Sequence, residues 1–242
     1  EPRPDWLGDR QSAELAPEEL GRLMTWIRAA YDSEIGFVDA RIRALFEMLE
    51  LERALVVFLA DHGEEFYEHG DLTHGQNLHG ETVRVPLLLH LPGADAPRGR
   101  VSADVSTLDV VPTLRGLLRL APAEQDQGRD LLAAAAERPI CSWLPGKSGQ
   151  HALEGDLRSI VLGDYRLIAE EGGRLELFDL AADPLERRDL AAELPEVVRA
   201  LREELDRVAA SAPVYPRAER LPEAPSEALL EHLRGIGYLG GE

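Results

Sequence analysis

The sequence predicts an α/β protein: part of a mixed sheet covered by helices, followed by a small antiparallel sheet near the carboxyl terminus. Three observations predict it. A valine-rich apolar run, "ALVVFLA" (54–60), stands between a long helical pattern and a second run, "VPLLLHLPG" (85–93). Continuous runs of this length suit strands covered on both faces, as in parallel or mixed sheets packed between helices. Finally, from residue 157 the chain alternates apolar and polar residues around Gly163-Asp164 and Gly172-Gly173. Alternation broken by turn pairs is the pattern of an antiparallel meander.

In chain order, the first 16 residues are proline-rich and irregular. A helix begins at Pro17, with Glu18 and Glu19 in the first turn, where the macrodipole favours anions. Leu20, Leu23, Met24, Ile27, Tyr31, Ile35, Val38, Ile42, Leu45, Phe46 and Leu49 recur in steps of three and four, predicting one buried stripe, with a bend near Gly36. The run 54–60 is the first strand and 85–93 the second, so the segment between them reads as a loop. "STLDVVPTLRGLLRL" (106–120) is a helix that tolerates Pro112 only in its first turn. The meander occupies 157–180 and should bury Ile160, Leu162, Leu167, Leu175 and Leu177. Asp183-Pro184 ends it. A helix over about 195–210 carries Val197, Val198, Leu201, Leu205 and Val208 on one face. A proline-rich linker (213–225) leads to a last short helix. The expected organisation is an α/β part over 1–155 and a sheet-plus-helix subdomain over 156–242.

The formal charge of −19 argues against a nucleic-acid or anionic-membrane surface, both of which need clustered Lys and Arg. An anionic substrate would then need a local positive centre, and a bound metal ion is the direct way to supply one. Cys141 is the only cysteine, so no internal disulfide forms. No stretch reaches the roughly 18 apolar residues of a membrane helix. The chain opens "EPRPDWLGD" without methionine, which reads like the middle of a longer protein.

Four of the seven histidines, His62, His69, His74 and His79, fall in one window around "DHGEEFYEHGDLTHG" (61–75). Asp61 stands directly at the carboxyl end of the first apolar strand, where open α/β sheets place ligand sites. A carboxylate beside an imidazole suits a divalent cation, although two protein ligands alone hold one loosely. A solvated polar loop with incidental histidines is the competing reading.

Seven segments appear in order: "YDSEIGFVDARI", "VVFLADHGEEFYEHG", "HGQNLHGETVRVPLLLHLPG", "VSTLDVVPTL", "GDYRLI", "LFDLAADPLERRDLA" and "LRGIGYL". Together they resemble the carboxyl-terminal half of the sulfatase family, within the alkaline phosphatase superfamily. The resemblance implies an alkaline-phosphatase-like sheet sandwiched by helices, and a metal-dependent sulfuric-ester hydrolase acting on small-molecule or glycan sulfates. By resemblance Asp61 and His62 are late ligands of the catalytic metal, calcium first, with magnesium or manganese behind it. His74 resembles the cationic residue that contacts the transferred group, a lysine in many relatives. His69 and Glu64 would support these residues from behind. His79 departs from the tyrosine of relatives and is left without a role. His90 reads as a hydrogen-bonded core histidine, His151 and His232 as surface residues, and Cys141 as a small core residue.

The family's nucleophile pattern, Cys or Ser-X-Pro-X-Arg, does not occur in these residues, and Cys141 is followed by "SWLPGK". Formylglycine would therefore lie outside them, and the chain made alone is expected to be inactive. A phosphodiesterase or phosphonate monoester hydrolase of the same superfamily, and a non-catalytic remnant of the fold, are the alternatives.

Overall fold

A computed structural model describes residues 16–93, 96–124, 126–133, 137–146, 155–212 and 227. The opening segment, the linker after 212, the terminal "LRGIGYL", His151 and His232 lie outside the described residues.

The meander forms as its alternation requires. Strands β6 (Leu157–Leu162), β7 (Tyr165–Glu170) and β8 (Leu175–Asp179) pair antiparallel, with Ile160 opposite Leu167 and Leu167 opposite Leu177. Gly163, Gly172 and Gly173 have positive φ at the two turns, the conformation that glycine adopts without steric cost. Because successive side chains point to opposite faces, the sheet has two buried faces. Ile160, Leu167, Ala169 and Leu177 pack against Val198, Leu201 and Leu205 of the amphipathic helix α4 (Pro195–Ser211). Leu157, Ile168 and Phe178 on the opposite face pack with Leu78, from the histidine-rich loop. Each fully buried leucine contributes about 2–3 kcal/mol of apolar burial, so the loop is fixed to a rigid support.

A further strand, β5 (Ile140–Leu144), adds to the edge through β6, with Cys141 opposite Ile160. The sequence reading contained no strand there. Cys141 is half-buried against the α4-facing core, and burial, aided by the charge of Glu204 and opposed by Arg138, pushes its thiol pKa up. This is the state of an unreactive packing thiol.

The amino-terminal elements differ more from expectation. Strand β1 (Val56–Leu59) pairs antiparallel with β4 (Leu87–His90) in a two-stranded sheet. Its cross-strand partners Phe58 and Leu88 are both exposed, whereas Val57 and Leu89 are half-buried. The apolar run therefore is not covered on both faces here, because among the described residues no further strand extends this pair. Helix α1 (Pro17–Glu47) forms at the expected limits, yet Met24 is its only buried residue. Its first half is held by Tyr31, edge-on to Phe66 at 5.0 Å, and by Arg28, which donates to Glu68 (2.8 Å) and the Phe66 carbonyl (3.2 Å). Ile35, Val38 and Leu45 in the second half remain exposed. His90 is also exposed rather than core, with Nε2 bonded to the Leu51 carbonyl at 2.8 Å. Helix α3 (Val110–Leu117) starts after a 3₁₀ turn capped by Ser106, and Pro112 falls in its first turn.

Candidate active site

The segment between β1 and β4 is more structured than a loop. A two-residue hairpin, β2 (Glu65–Phe66) with β3 (Leu72–Thr73), is followed by the short helix α2 (Gly80–Val83). The Gly63 amide donates to the Thr82 carbonyl at 2.8 Å and the Glu64 amide to the Glu81 carbonyl at 3.0 Å. A Cβ on residue 63 would lie 1.9 Å from the Glu81 oxygen, so only glycine permits this contact. The chain leaving β1 is thereby clamped onto α2 immediately after Asp61 and His62.

Those two residues form an outer cluster with Glu64 and His74. The side chain of Asp61 is 84% exposed, and its Oδ1 lies 3.8 Å from Nε2 of His62. Nδ1 of His62 donates to the Gly63 carbonyl at 2.8 Å, which fixes the tautomer and leaves Nε2 with its lone pair. The His62 ring stacks on His74 with centroids 3.8 Å apart. Nδ1 of His74 faces the Glu64 carboxylate at 3.3 Å, which leaves its Nε2 outward. Two residues beside this ring, Thr73 (φ 74°) and Gly75 (φ 88°), have left-handed backbone. For the β-branched Thr73 that costs about 1–2 kcal/mol, strain located where His74 is presented. One imidazole nitrogen and one exposed carboxylate, whose Oδ1 accepts the His62 amide at 3.0 Å, thus stand adjacent, a donor set suited to a divalent cation that takes its other ligands elsewhere.

His69 does not join this cluster. It lies inward, stacked on His79 with centroids 3.7 Å apart and planes 4° from parallel. Ligand-type atoms of Glu65, His69 and Glu81 fall within 4.8 Å of one another, but hydrogen bonds already occupy them. Glu65, fully buried, accepts from the His69 and Asp71 amides and from Asn77. Nδ1 of His69 lies 2.5 Å from Glu81 Oε1, and Nε2 lies 3.0 Å from the Glu186 carbonyl. The Glu186 carbonyl can only accept, so Nε2 carries a proton, and a second proton is shared between Nδ1 and the Glu81 carboxyl. Burial acts to lower the His69 pKa, but the Glu186 carbonyl, the Glu81 hydrogen bond and the charges of Glu81 and Glu186 outweigh it and raise the value. This inner triad is a proton-bearing tie rather than a ready cation site.

A pH dependence follows, and its sign is fixed. A histidine with a raised folded pKa stabilises the fold fully below its unfolded value of about 6.5, and that stability is lost as pH rises through the folded value. The urea midpoint should therefore fall as pH is raised above about 6.5, and His69→Gln should flatten that fall. An unchanged slope in the variant would remove His69 as the cause.

Three residues without a sequence-level role complete the inner cluster. His79 Nδ1 lies 3.0 Å from Glu186 Oε2, and Arg166 Nε lies 3.1 Å from Glu186 Oε1. Arg166 also donates to the Leu78 carbonyl at 2.8 Å, and burial lowers its pKa against the pull of Glu186. The local signals were the strings "GDYRLI" and "DPLERRDL", but no spacing rule joins residues 79, 166 and 186.

Known proteins resemble this chain over most of its length. The chain is 27% identical over 222 residues to arylsulfatase K of Gallus gallus, covering 85% of this chain and 40% of that protein. It therefore spans about two-fifths of the length of that relative. The phosphonate monoester hydrolase of Agrobacterium radiobacter superposes with a TM-score of 0.70 at 23% identity, over 78% of this chain and 42% of that one. A structure described as bound to its substrate D-glucosamine-2-N,6-O-disulfate superposes with a TM-score of 0.57 at 21% identity, over 75% and 38%. Both share the alkaline-phosphatase-like α/β fold with this chain. Residues 9–120 match the Sulfatase family model, and this part of the chain belongs to the sulfatase family.

Proposed function

We propose that this chain supplies the metal-binding and group-contacting part of a sulfuric-ester hydrolase. Asp61 and His62 ligate a divalent cation, calcium first, with magnesium or manganese next. His74 contacts the sulfuryl group under transfer, and Glu64 orients His74. The observation that carries the reading is the adjacency of two ligand-type atoms, Asp61 Oδ1 and His62 Nε2, 3.8 Å apart at the exit of β1. When bound, the cation would offset charge on the nucleophile and on a sulfate oxygen. As an imidazolium, with its Nδ1 proton held by Glu64, His74 then donates through Nε2 to the oxygen on which charge develops. The nucleophile, formylglycine in the cysteine form of the family, is not Cys141, whose thiol sits in the core of the small sheet. We assign residues 1–155 to the catalytic part and 156–242 to the subdomain that supports it, with β5 lending that sheet its edge strand. The substrate class is a small-molecule or glycan sulfate ester, a reading supported by the disulfated glucosamine bound by one structural relative.

Phosphonate monoester hydrolysis is the second reading, favoured by the superposition with the Agrobacterium radiobacter enzyme. One experiment separates the two. The chain is joined to a nucleophile-bearing amino-terminal segment of a sulfatase, loaded with calcium, magnesium or manganese, and assayed on an aryl sulfate and an aryl phosphonate monoester. Faster sulfate turnover supports the proposal, faster phosphonate turnover supports the second reading, and equal background rates oppose both.

A further inference from the structure

Glu186 follows the small sheet by only a few residues, but its carbonyl and its carboxylate both point at the histidine-rich segment and its supports. Its φ of 53° is left-handed, a conformation that costs a residue with a Cβ about 1–2 kcal/mol. In this pose its amide donates to the Asp183 carbonyl at 3.0 Å and its carbonyl accepts from His69 Nε2 at 3.0 Å. Its carboxylate, 1% exposed, accepts from His79 Nδ1 at 3.0 Å and from the Gly80 amide at 3.1 Å, with Arg166 Nε 3.1 Å away. A Cβ on Gly80 would come within 3.0 Å of the same carboxylate. Arg166 in turn holds the Leu78 carbonyl. Residues 78 to 80 are therefore gripped from the far side of the chain.

Those residues begin α2, and the other end of α2 holds the strand exit. Thr82 and Glu81 accept the Gly63 and Glu64 amides, and the Gly63 carbonyl accepts from the His62 ring. We propose that Glu186 is a positioning residue for the cation ligands. It fixes the start of α2, α2 fixes the backbone at 63 and 64, and that backbone aims His62. The inference rests on the reading of Asp61 and His62 as ligands. Its physical content is that a buried carboxylate with several donors has one low-energy placement, and so transmits that placement to whatever it holds.

The test uses the whole chain and two readouts. The first is amide hydrogen exchange at Gly63 and Glu64, with the β7 amides as internal reference. The second is calorimetric titration with Ca²⁺ and with Mn²⁺. Glu186→Ala should speed exchange at 63 and 64 about tenfold and weaken cation binding by a similar factor, with β7 protection unchanged. Glu186→Gln keeps the shape and one oxygen for Gly80, so it should fall between wild type and alanine. Wild-type exchange at 63 and 64 in both variants would overturn the proposal. So would uniform acceleration through β7 in Glu186→Gln, since that marks general loosening. Asp61→Ala is the control for the underlying reading: unchanged titration in that variant removes the ligand assignment, while the exchange data still decide whether Glu186 positions the strand exit.

Discussion

Asp61→Ala is expected to leave the fold intact while weakening divalent-cation binding by more than about a hundredfold. The stability side follows from exposure, because the Asp61 side chain is 84% exposed and its removal leaves no cavity. The binding side follows from ligand count. Loss of residues that only support a metal ligand costs about 10–100-fold in affinity, so loss of a ligand itself should exceed that. Turnover of the sulfate ester in the completed enzyme should fall about a thousandfold, the scale of losing a main source of charge stabilisation. Circular dichroism, titration with Ca²⁺ and Mn²⁺, and turnover check the three parts. Retained cation content with retained turnover would show that Asp61 is not a ligand.

His74→Ala should separate binding from chemistry. The side chain stacks on His62 and its Nδ1 faces Glu64, so that the imidazolium form would donate through Nε2. Removing one donor aimed at developing charge lowers kcat by about 10²–10³-fold. Cation affinity should change by no more than about threefold, because His74 lends no ligand atom and His62 keeps its bond to the Gly63 carbonyl. Glu64→Gln should produce a smaller kcat loss, since it weakens orientation and leaves the imidazole in place. A His74→Ala enzyme with unchanged kcat would place the charge-stabilising group elsewhere. A large affinity loss would instead make the ring part of the metal site.

The two ends of the chain were unequally legible, and the reason is the range of the interactions. Period-two alternation and two glycine turns determined β6, β7 and β8, and a 3.6-residue stripe determined α4, because each pattern is local and its partner lies next in sequence. The same stripe on α1 predicted burial that only Met24 attains, since periodicity marks an apolar face and says nothing of what covers it. Strand β5 has no alternation strong enough to announce it and forms because β6 offers an edge. At the site, chain order alone puts Asp61 and His62 together after a strand, with Gly63 next and His74 in the same segment. Which histidines meet is settled by long-range packing. It stacks His62 on His74 and His69 on His79, turning one pair outward as free ligand and donor atoms and the other inward as a hydrogen-bonded tie. The inner pair is bonded to Glu186, which stands 107 residues beyond His79. A carboxylate can reach across the fold to fix a ring only after both segments have packed on the same sheet, and no local pattern encodes that meeting.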